Sequence, residues 1–434
     1  MKKCLLFILW MMLLLACGLS HKAPKPSSEA AMIDTELEQL IAEVKQDSTN
    51  VALRCKLADA YVRRNQDEDA NIWYDKVLEL KADYVPALLG KGDILIRAGK
   101  RKDGYSFYLK SLMLEDRGEH VQRIARQIGQ PYEIEQITHG NHDNVAPCFS
   151  PDGKTIAFQS NRDGNMEIYI LDIETRYERK ITDHPAKDEF PVFSPDGKVL
   201  AFTSTRDDSS AAADWRLREI YLLELESNQL TRFTNNDADD WYPSFDSKGE
   251  RLLYVSTRGD IRDIHFSRQW SDIYIHDIKD NVVSRLTESK FQNGSPCFSS
   301  NNKWIVINAN RNDKFHIYKM DKHGQHIEQL TFGDANDAAP QFAPDNKQIA
   351  FFSDRNGNYD VYLMNRDGSN LTQLTCDPED EAYPKFSPDG KKIIYHAKQD
   401  EKFQIFWIDL TRPISKDNLV KKIENKMSEI AIMH

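Results

Sequence analysis

The stretch Ala146–Phe158, APCFSPDGKTIAF, returns five more times along this chain. Its variants open at Phe190 (FPVFSPDGKVLAF), Tyr242 (YPSFDSKGERLLY), Ser295 (SPCFSSNNKWIVI), Ala339 (APQFAPDNKQIAF) and Tyr383 (YPKFSPDGKKIIY). Recurrence of this kind marks a repeat architecture. Each copy reads as a short strand, a tight turn and a second strand. The proline of each copy sits where a strand begins, a place that tolerates a missing backbone donor. The Asp-Gly or Asn-rich turn accepts positive φ. Six antiparallel units predict an all-β six-bladed propeller.

The spacing within the units fills in the blades. Fifteen residues after each proline stand Arg162, Arg206, Arg258, Arg311, Arg355 and finally Gln399. Five arginines at one repeat position suggest a repeated ion pair or hydrogen bond between blades rather than chemistry, which needs one site and not six. Phe149, Phe193, Phe245, Phe298, Phe342 and Phe386 lie two residues after the prolines and read as packing. A third strand follows at Ile168-Tyr169 and its equivalents, and a fourth ends at Thr182, Thr234, Thr287, Thr331 and Thr375. The sixth unit lacks that ending, while an unmatched copy, Glu135-Gln136-Ile137-Thr138, precedes the first unit. The strand at 133–138 is therefore expected to complete the last blade and remove two exposed sheet edges. On this reading the propeller occupies 131–412 and a C-terminal tail 413–434.

The totals narrow the function. The chain has 434 residues, enough for more than one domain, and 40% of them are hydrophobic. A net charge of −11 argues against a nucleic-acid surface, which needs a basic face. At the start, Lys2 and Lys3 precede an apolar run, Cys4 to Ala16, which is shorter than a membrane span and has the form of an export signal. The Leu14-Leu15-Ala16-Cys17 ending resembles a bacterial lipoprotein signal. That resemblance implies removal of 1–16 and acylation (palmitate or a similar chain) of Cys17. Each buried methylene then contributes about 0.8 kcal/mol to membrane anchoring. Gly18, in place of aspartate, implies the outer membrane, with the protein on its periplasmic face. Residues 17–32 read as a flexible tether. Cys55, Cys148, Cys297 and Cys376 show no metal-type spacing. Cys148 and Cys297 share a repeat position three blades apart, too distant for a disulfide.

From Ile33 the apolar residues follow a helical period, with Leu37, Leu40, Ile41 and Val44 on one stripe. Ala58, Tyr61, Ala70 and Tyr74 recur 34 residues on as Gly92, Leu95, Gly104 and Tyr108. Small residues where helices cross suit close packing. The stretch Asn50–Asp116 resembles the tetratricopeptide repeat, with Glu119–Ile128 as a capping helix, in an all-α domain spanning 33–130. The resemblance implies a small concave groove for a partner peptide; a plain helical spacer is the structural alternative.

The strand units themselves resemble the TolB-type propeller over about Tyr132–Leu410. The likeness rests on proline-x-Phe-Ser-Pro-Asp-Gly-Lys, Ile-Ala-Phe, Ser-x-Arg-Asp-Gly, Ile-Tyr and Leu-Thr. Blade four, with Ser300-Asn301-Asn302 for Pro-Asp-Gly, is worn but in register. The resemblance implies a platform in the bacterial envelope that binds other envelope proteins. A TolB protein carries an α/β domain in front of the propeller, where this chain has helical repeats. The combination with a lipoprotein signal is similar to envelope proteins of Bacteroidota, including components of the type nine secretion apparatus. Those often end in an OmpA-like domain; Thr411–His434 is too short for one, so peptidoglycan binding is not expected.

Two places read as candidate sites. Three residues before the prolines stand Asn144, Asp188, Asp240, Asn293, Asp337 and Glu381, which are expected to ring the channel mouth. They are either turn-initiating side chains or an acidic collar for a basic partner segment, with calcium as a further option. The second place is a pair of inserts. Arginine and tyrosine are seven residues apart in blades one, four and five, but fifteen apart in blade two and sixteen in blade three. The inserts, Asp207–Arg218 and Gly259–Ser271, carry Trp215, Arg216, His265, Phe266, Arg268 and Trp270. Tryptophan and arginine are enriched at binding hot spots, so Trp215, Arg216, Phe266, Arg268 and Trp270 are the expected partner-binding set, or else a local minicore. No nucleophile elbow, phosphate loop or zinc motif appears, and the histidines occupy different repeat positions. The reading is a non-catalytic protein without metal or cofactor. The alternative is a carbohydrate-binding or lyase-like envelope protein.

Overall fold

The computed structural model describes residues 28–115, 117–207, 217–260, 269–288 and 290–432. Cys17, Trp215, Arg216, Phe266 and Arg268 lie outside them. The chain forms two compact units, residues 117–419 and a helical unit from the flanking segments.

The helical unit contains Ser28–Gln46, Val51–Arg63, Asp67–Leu80, Val85–Arg97 and Arg101–Leu114. Asn50 caps the second helix by accepting from Leu53 N at 3.0 Å. Two buried tyrosines, 34 residues apart, do the same work in successive pairs. Tyr74 donates to Asp59 and Tyr108 to Asp93. A Cβ at Gly90 would fall 2.3 Å from the Tyr74 ring, and one at Gly92 would fall 2.4 Å from the Tyr108 ring. The glycines are there because the ring lies where a side chain would be. This unit also takes in the chain from Val420, part of a helix, Lys416–Ile432, where the sequence suggested only a tail. The helix Gly118–Ile128, expected to cap the helical stack, clusters instead with the strands.

The second unit is a propeller of six four-stranded antiparallel sheets. Blade one is β2 (Asn144–Phe149), β3 (Thr155–Ser160), β4 (Glu167–Asp172) and β5 (Glu178–Lys180). Blades two to five repeat that order. Blade six combines β22 (Glu381–Phe386), β23 (Lys392–Gln399) and β24 (Lys402–Pro413) with β1 (Tyr132–Gln136), which pairs antiparallel to β24. The outermost strand of each blade is pinned by its threonine. Thr182 Oγ1 accepts from Ile168 N at 2.9 Å, and Thr234, Thr287, Thr331 and Thr375 act alike. In blade six the same place is filled by Thr138, accepting from Ile405 N at 2.9 Å.

Every innermost strand carries a β-bulge at its proline. In blade one, Val145 pairs with Gln159 and Cys148 with Ala157, leaving one extra residue on the inner strand. The residue before each proline takes left-handed backbone: Ala146 φ 49°, Phe190 54°, Tyr242 54°, Ser295 45°, Ala339 47° and Tyr383 57°. Proline disfavours the right-handed helical region for its predecessor, and the bulge takes up the left-handed alternative.

Neighbouring turns interlock around the ring. Where a turn has proline, the next turn has glycine at positive φ: Pro151 meets Gly197, Pro195 meets Gly249, Pro344 meets Gly390 and Pro388 meets Gly153. Blades three and four carry Ser247 and Ser300 instead of proline and so present a backbone N–H. The turns that follow answer with asparagine: Ser247 N donates to Asn302 Oδ1 at 3.0 Å, and Ser300 N to Asn346 Oδ1 at 2.8 Å. Each lost proline is matched by a gained side-chain acceptor. Asn302→Gly is expected to cost about 1 kcal/mol, partly offset because glycine accepts the φ of 55° without strain. Adding Ser247→Pro should restore the loss, so a urea double-mutant cycle should give a coupling of roughly 0.5–1 kcal/mol.

Candidate functional site

The bulges aim their residues at the propeller axis. Phe190 and Tyr242 meet edge to face with ring centroids 4.3 Å apart, and Tyr383 lies 5.9 Å and 6.1 Å from them. The Tyr242 and Tyr383 hydroxyls, from opposite blades, hydrogen-bond to each other. What remains is a void of about 50 Å³ bounded by the bulge residues and their prolines. The axis is therefore plugged, and the propeller has two separate mouths.

Between blades the bulge amides are caught by second strands. Phe190 N donates to Gln159 Oε1 at 2.7 Å, and Ala146 N to His396 Nδ1 at 3.2 Å. His396 stacks on Tyr383 at 5.3 Å, and burial pushes its pKa down to about 3. It is thus a neutral acceptor holding the plug.

The first mouth lies where the innermost strands begin. Asn144, Asp188, Asp240, Asn293, Asp337 and Glu381 open those strands, and each is at most 1% exposed. Their side chains turn into the blades. Arg206 Nη2 bonds Asp188 at 2.7 Å, Arg258 Nη2 bonds Asp240 at 2.6 Å, and Arg355 Nη2 bonds Asp337 at 2.7 Å. Arg162 Nη2 reaches Asn144 Oδ1 at 3.0 Å. The ion pair suggested between blades lies within one blade, because the strand's first residue pairs with the end of its own second strand. These arginines also lie over the third-strand tyrosines, as Arg206 over Tyr221 at 4.9 Å. The joint between blades is made instead by backbone: Asp188 N donates to Met166 O at 2.8 Å, and Asp240, Asn293, Asp337 and Glu381 repeat the bond.

What does face this mouth is a cavity of about 440 Å³ beside blades three to five. Trp241, Phe315, Phe352 and Tyr359 give it aromatic walls, and Gln269, Gln292 and Asn336 give it amides. Both inserts end here. Arg218, closing the blade-two insert, grips Asp239 through its backbone N (2.9 Å) and its guanidinium, which lies 4.5 Å over Trp241. In the blade-three insert, Trp270 is half-buried and its backbone N–H donates to Asp260 Oδ2 at 2.7 Å. Sequence reasoning missed Trp241, Tyr242 and Tyr383. Their signal was present as aromatic side chains just before two of the six prolines, Pro243 and Pro384, but it became readable only once the bulge was known.

The second mouth, on the side of the turns, is a cavity of about 340 Å³ walled by the residues that follow the six prolines. Among the described residues, no group of three or more His, Cys, Asp or Glu is placed to hold a metal ion. The four described cysteines are buried.

The chain matches a family model described as the TolB beta propeller domain over residues 121–213 and 260–420. Among curated proteins it is similar to the uncharacterized peptidase YuxL of Bacillus subtilis (strain 168). The two are 26% identical over 209 residues, 47% of this chain and 27% of that protein. It is also similar to the Protein TolB homolog of Protochlamydia amoebophila (strain UWE25), 42% identical over 53 residues, 12% of this chain and 11% of that protein. The chain thus spans about a quarter and about a tenth of the lengths of these relatives. Among solved structures, a putative TolB from Agrobacterium tumefaciens is 22% identical with a TM-score of 0.48, covering 65% of this chain and 98% of that one. TolB from Acinetobacter baumannii is 18% identical with a TM-score of 0.45, covering 72% and 70%.

Burial has a measurable consequence at Asp240. One of its oxygens, Oδ1, has no hydrogen-bond partner, and burial outweighs Arg258 to push the carboxyl up to about 6 from an ordinary 3.8. The folded state therefore holds this proton more tightly than the unfolded chain. The stability linked to it is present at low pH and declines as pH rises from about 4 through about 6. Asp240→Asn should remove about 2–3 kcal/mol of that decline, read as the difference between the two proteins in urea unfolding across the same pH range.

Proposed function

The chain belongs to the TolB beta-propeller domain family, and we propose that it is a non-catalytic binding platform for other proteins of the cell envelope. The observation that carries this reading is the aromatic and amide-lined cavity at the mouth where both inserts end. Large aromatic anchors beside an arginine, in a concave site rimmed by variable loops, are the chemistry of protein–protein hot spots. Trp241 and Trp270 are the proposed anchors among the described residues, with Trp215, Arg216, Phe266 and Arg268 as their continuation along the inserts. In this reading the six strand-opening residues are the frame under the mouth. The 34-residue helical repeat supplies a second, tetratricopeptide-like surface. A lipid on Cys17 tethers the whole to the outer membrane on its periplasmic side, as in the Bacteroidota envelope lipoproteins whose organisation the sequence resembles. Assembly of a secretion or envelope-integrity complex is the process this arrangement suits.

Two experiments test the proposal. A photo-crosslinking residue placed at Gln292 should trap envelope proteins in intact cells; adducts from one at Lys391 on the turn side with none at Gln292 would overturn the choice of mouth. Trp241→Ala should weaken the trapped complex at least tenfold, about 1.4 kcal/mol or more, in a protein that still shows the parent's far-UV circular dichroism at the temperature of the assay. Separately, Cys17→Ser should move the protein from the membrane fraction to the soluble periplasm, and continued membrane association would refute the lipid tether.

A further inference from the structure

The turn-side mouth has chemistry of its own. The residues that follow the six prolines are Cys148, Val192, Ser244, Cys297, Gln341 and Lys385, and all six line its cavity. Five are neutral by nature or small. Lys385 is a cation at an axial position, reaching both this cavity and the void at the plug. Its ammonium donates to Gln341 Oε1 at 2.8 Å, and no carboxylate among the described residues pairs with it.

Every nearby candidate for a counter-charge is accounted for. Asp246 is the acid on the cavity wall, and it already accepts from Arg251 Nη2 at 3.2 Å, Glu250 N at 2.9 Å and Asn302 Nδ2 at 3.2 Å. The turn carboxylates Asp345 and Asp389 have their own lysines, Lys347 and Lys391, at 3.8 Å and 3.6 Å. Burial pushes the Cys148 thiol up to about 12 and raises Cys297, so neither sulfur is a thiolate. An ammonium has three protons to donate and here spends one on a neutral amide. A half-buried charge without an opposite charge favours an anion brought from solution.

The walls define the rest of the ligand. Beside the ring of six lie the six repeat phenylalanines, Phe149 to Phe386, which also line the cavity. Beyond Lys385, the aromatic plug closes the axis. We infer that the turn-side cavity binds a monocarboxylate carried on an apolar body, its carboxylate on Lys385 and Gln341 and its hydrocarbon against the phenylalanine ring. The carboxylate comes from an aliphatic acid or from the C-terminus of a chain ending in an apolar residue; both present the same group at the same depth. A cavity of about 340 Å³ suits a ligand of that size.

Calorimetry on the full chain with hexanoate, acetate, 1-hexanol, inorganic phosphate and N-acetylleucine tests this. Hexanoate should bind, and Lys385→Met should weaken it at least tenfold while Lys385→Arg retains it. Acetate and phosphate should bind more weakly than hexanoate, and 1-hexanol should be indifferent to residue 385. Stronger binding of N-acetylleucine than of hexanoate assigns the carboxylate to a chain terminus; the reverse order assigns it to an aliphatic acid. The Lys385→Met protein should melt no lower than the parent, because it loses a charge without a partner. Absence of hexanoate binding, equal binding by Lys385→Met, or phosphate binding as tight as hexanoate would overturn the inference.

Discussion

The pairing of β1 with β24 is the constraint on which the propeller depends. It joins Glu135 to Trp407, whose indole Nε1 donates to the Glu135 carboxylate at 3.1 Å across 272 residues of chain. Closing a loop of that length costs roughly 5 kcal/mol in chain entropy. The cost falls once, at the seam, while the return is spread over the whole ring. Without β1, blade six would lack its fourth strand, and β24 would present an unpaired edge. The seam is reinforced from both sides. Arg176 of blade one bonds Glu135 at 2.9 Å, and Phe403 N of blade six bonds Asp143 Oδ1 at 3.1 Å. Asn144 Nδ2 adds a bond to Gln404 Oε1 at 2.9 Å. The Phe403 bond recurs at other joints, as Tyr359 N to Asp380 Oδ1 at 3.0 Å, whereas the Gln404 bond replaces a backbone contact with a side chain.

Closure also makes the axis a place where strain can be held. Six residues with side chains adopt left-handed backbone at the bulges, each at a cost on the order of 1–2 kcal/mol. A single hairpin would relax such a bulge; a closed ring of six sheets holds it. The return for that strain is position. The bulge directs Phe190, Tyr242 and Tyr383 to the axis, where their contacts divide the propeller into two mouths of different chemistry. The first is aromatic, amide-rich and rimmed by the inserts. The second is a narrow phenylalanine funnel with one cation. Two separate mouths on one scaffold suit the proposed platform better than a through-channel would.

Much of this was legible from the residues. The blade number, the strand order and the candidate for closure follow from counting, because every blade must present the same groups to its neighbours. The threonines could be aligned for the same reason, and Thr138 could be matched with them. The arginines were placed correctly but partnered wrongly: sequence spacing gives the end of a strand, not which side of the blade its side chain crosses. The six strand-opening residues were expected at the mouth because they are polar and regularly spaced. They are buried because three of them pair with the arginine that ends their own second strand and Asn144 accepts from its equivalent, and a regular polar ring looks the same whether it faces the mouth or the blade. Trp241, Tyr242, Tyr383 and Lys385 went unnoticed because each sits where the repeat varies, and a variable position carries no meaning until the backbone says where it points.

Departures from a repeat are of two kinds, and the distinction bears on function. Some are compensated: Ser247 and Ser300 replace proline, and Asn302 and Asn346 supply the acceptor that the new N–H requires. Such pairs preserve the fold by a different bond and need no ligand to explain them. Others bring in a group that the repeat does not otherwise carry. Lys385 introduces a charge among thiols, a hydroxyl, an amide and an aliphatic side chain, and no neighbouring blade changes to neutralise it. Trp241 enlarges a position held elsewhere by Val145, Glu189, Gly294, Ala338 and Ala382, and it does so beside the inserts. Lys385 has no opposite charge among the described residues, and Trp241, although the Arg218 guanidinium lies 4.5 Å over it, still walls an open cavity. Departures of this second kind are the ones on which the two proposed sites rest.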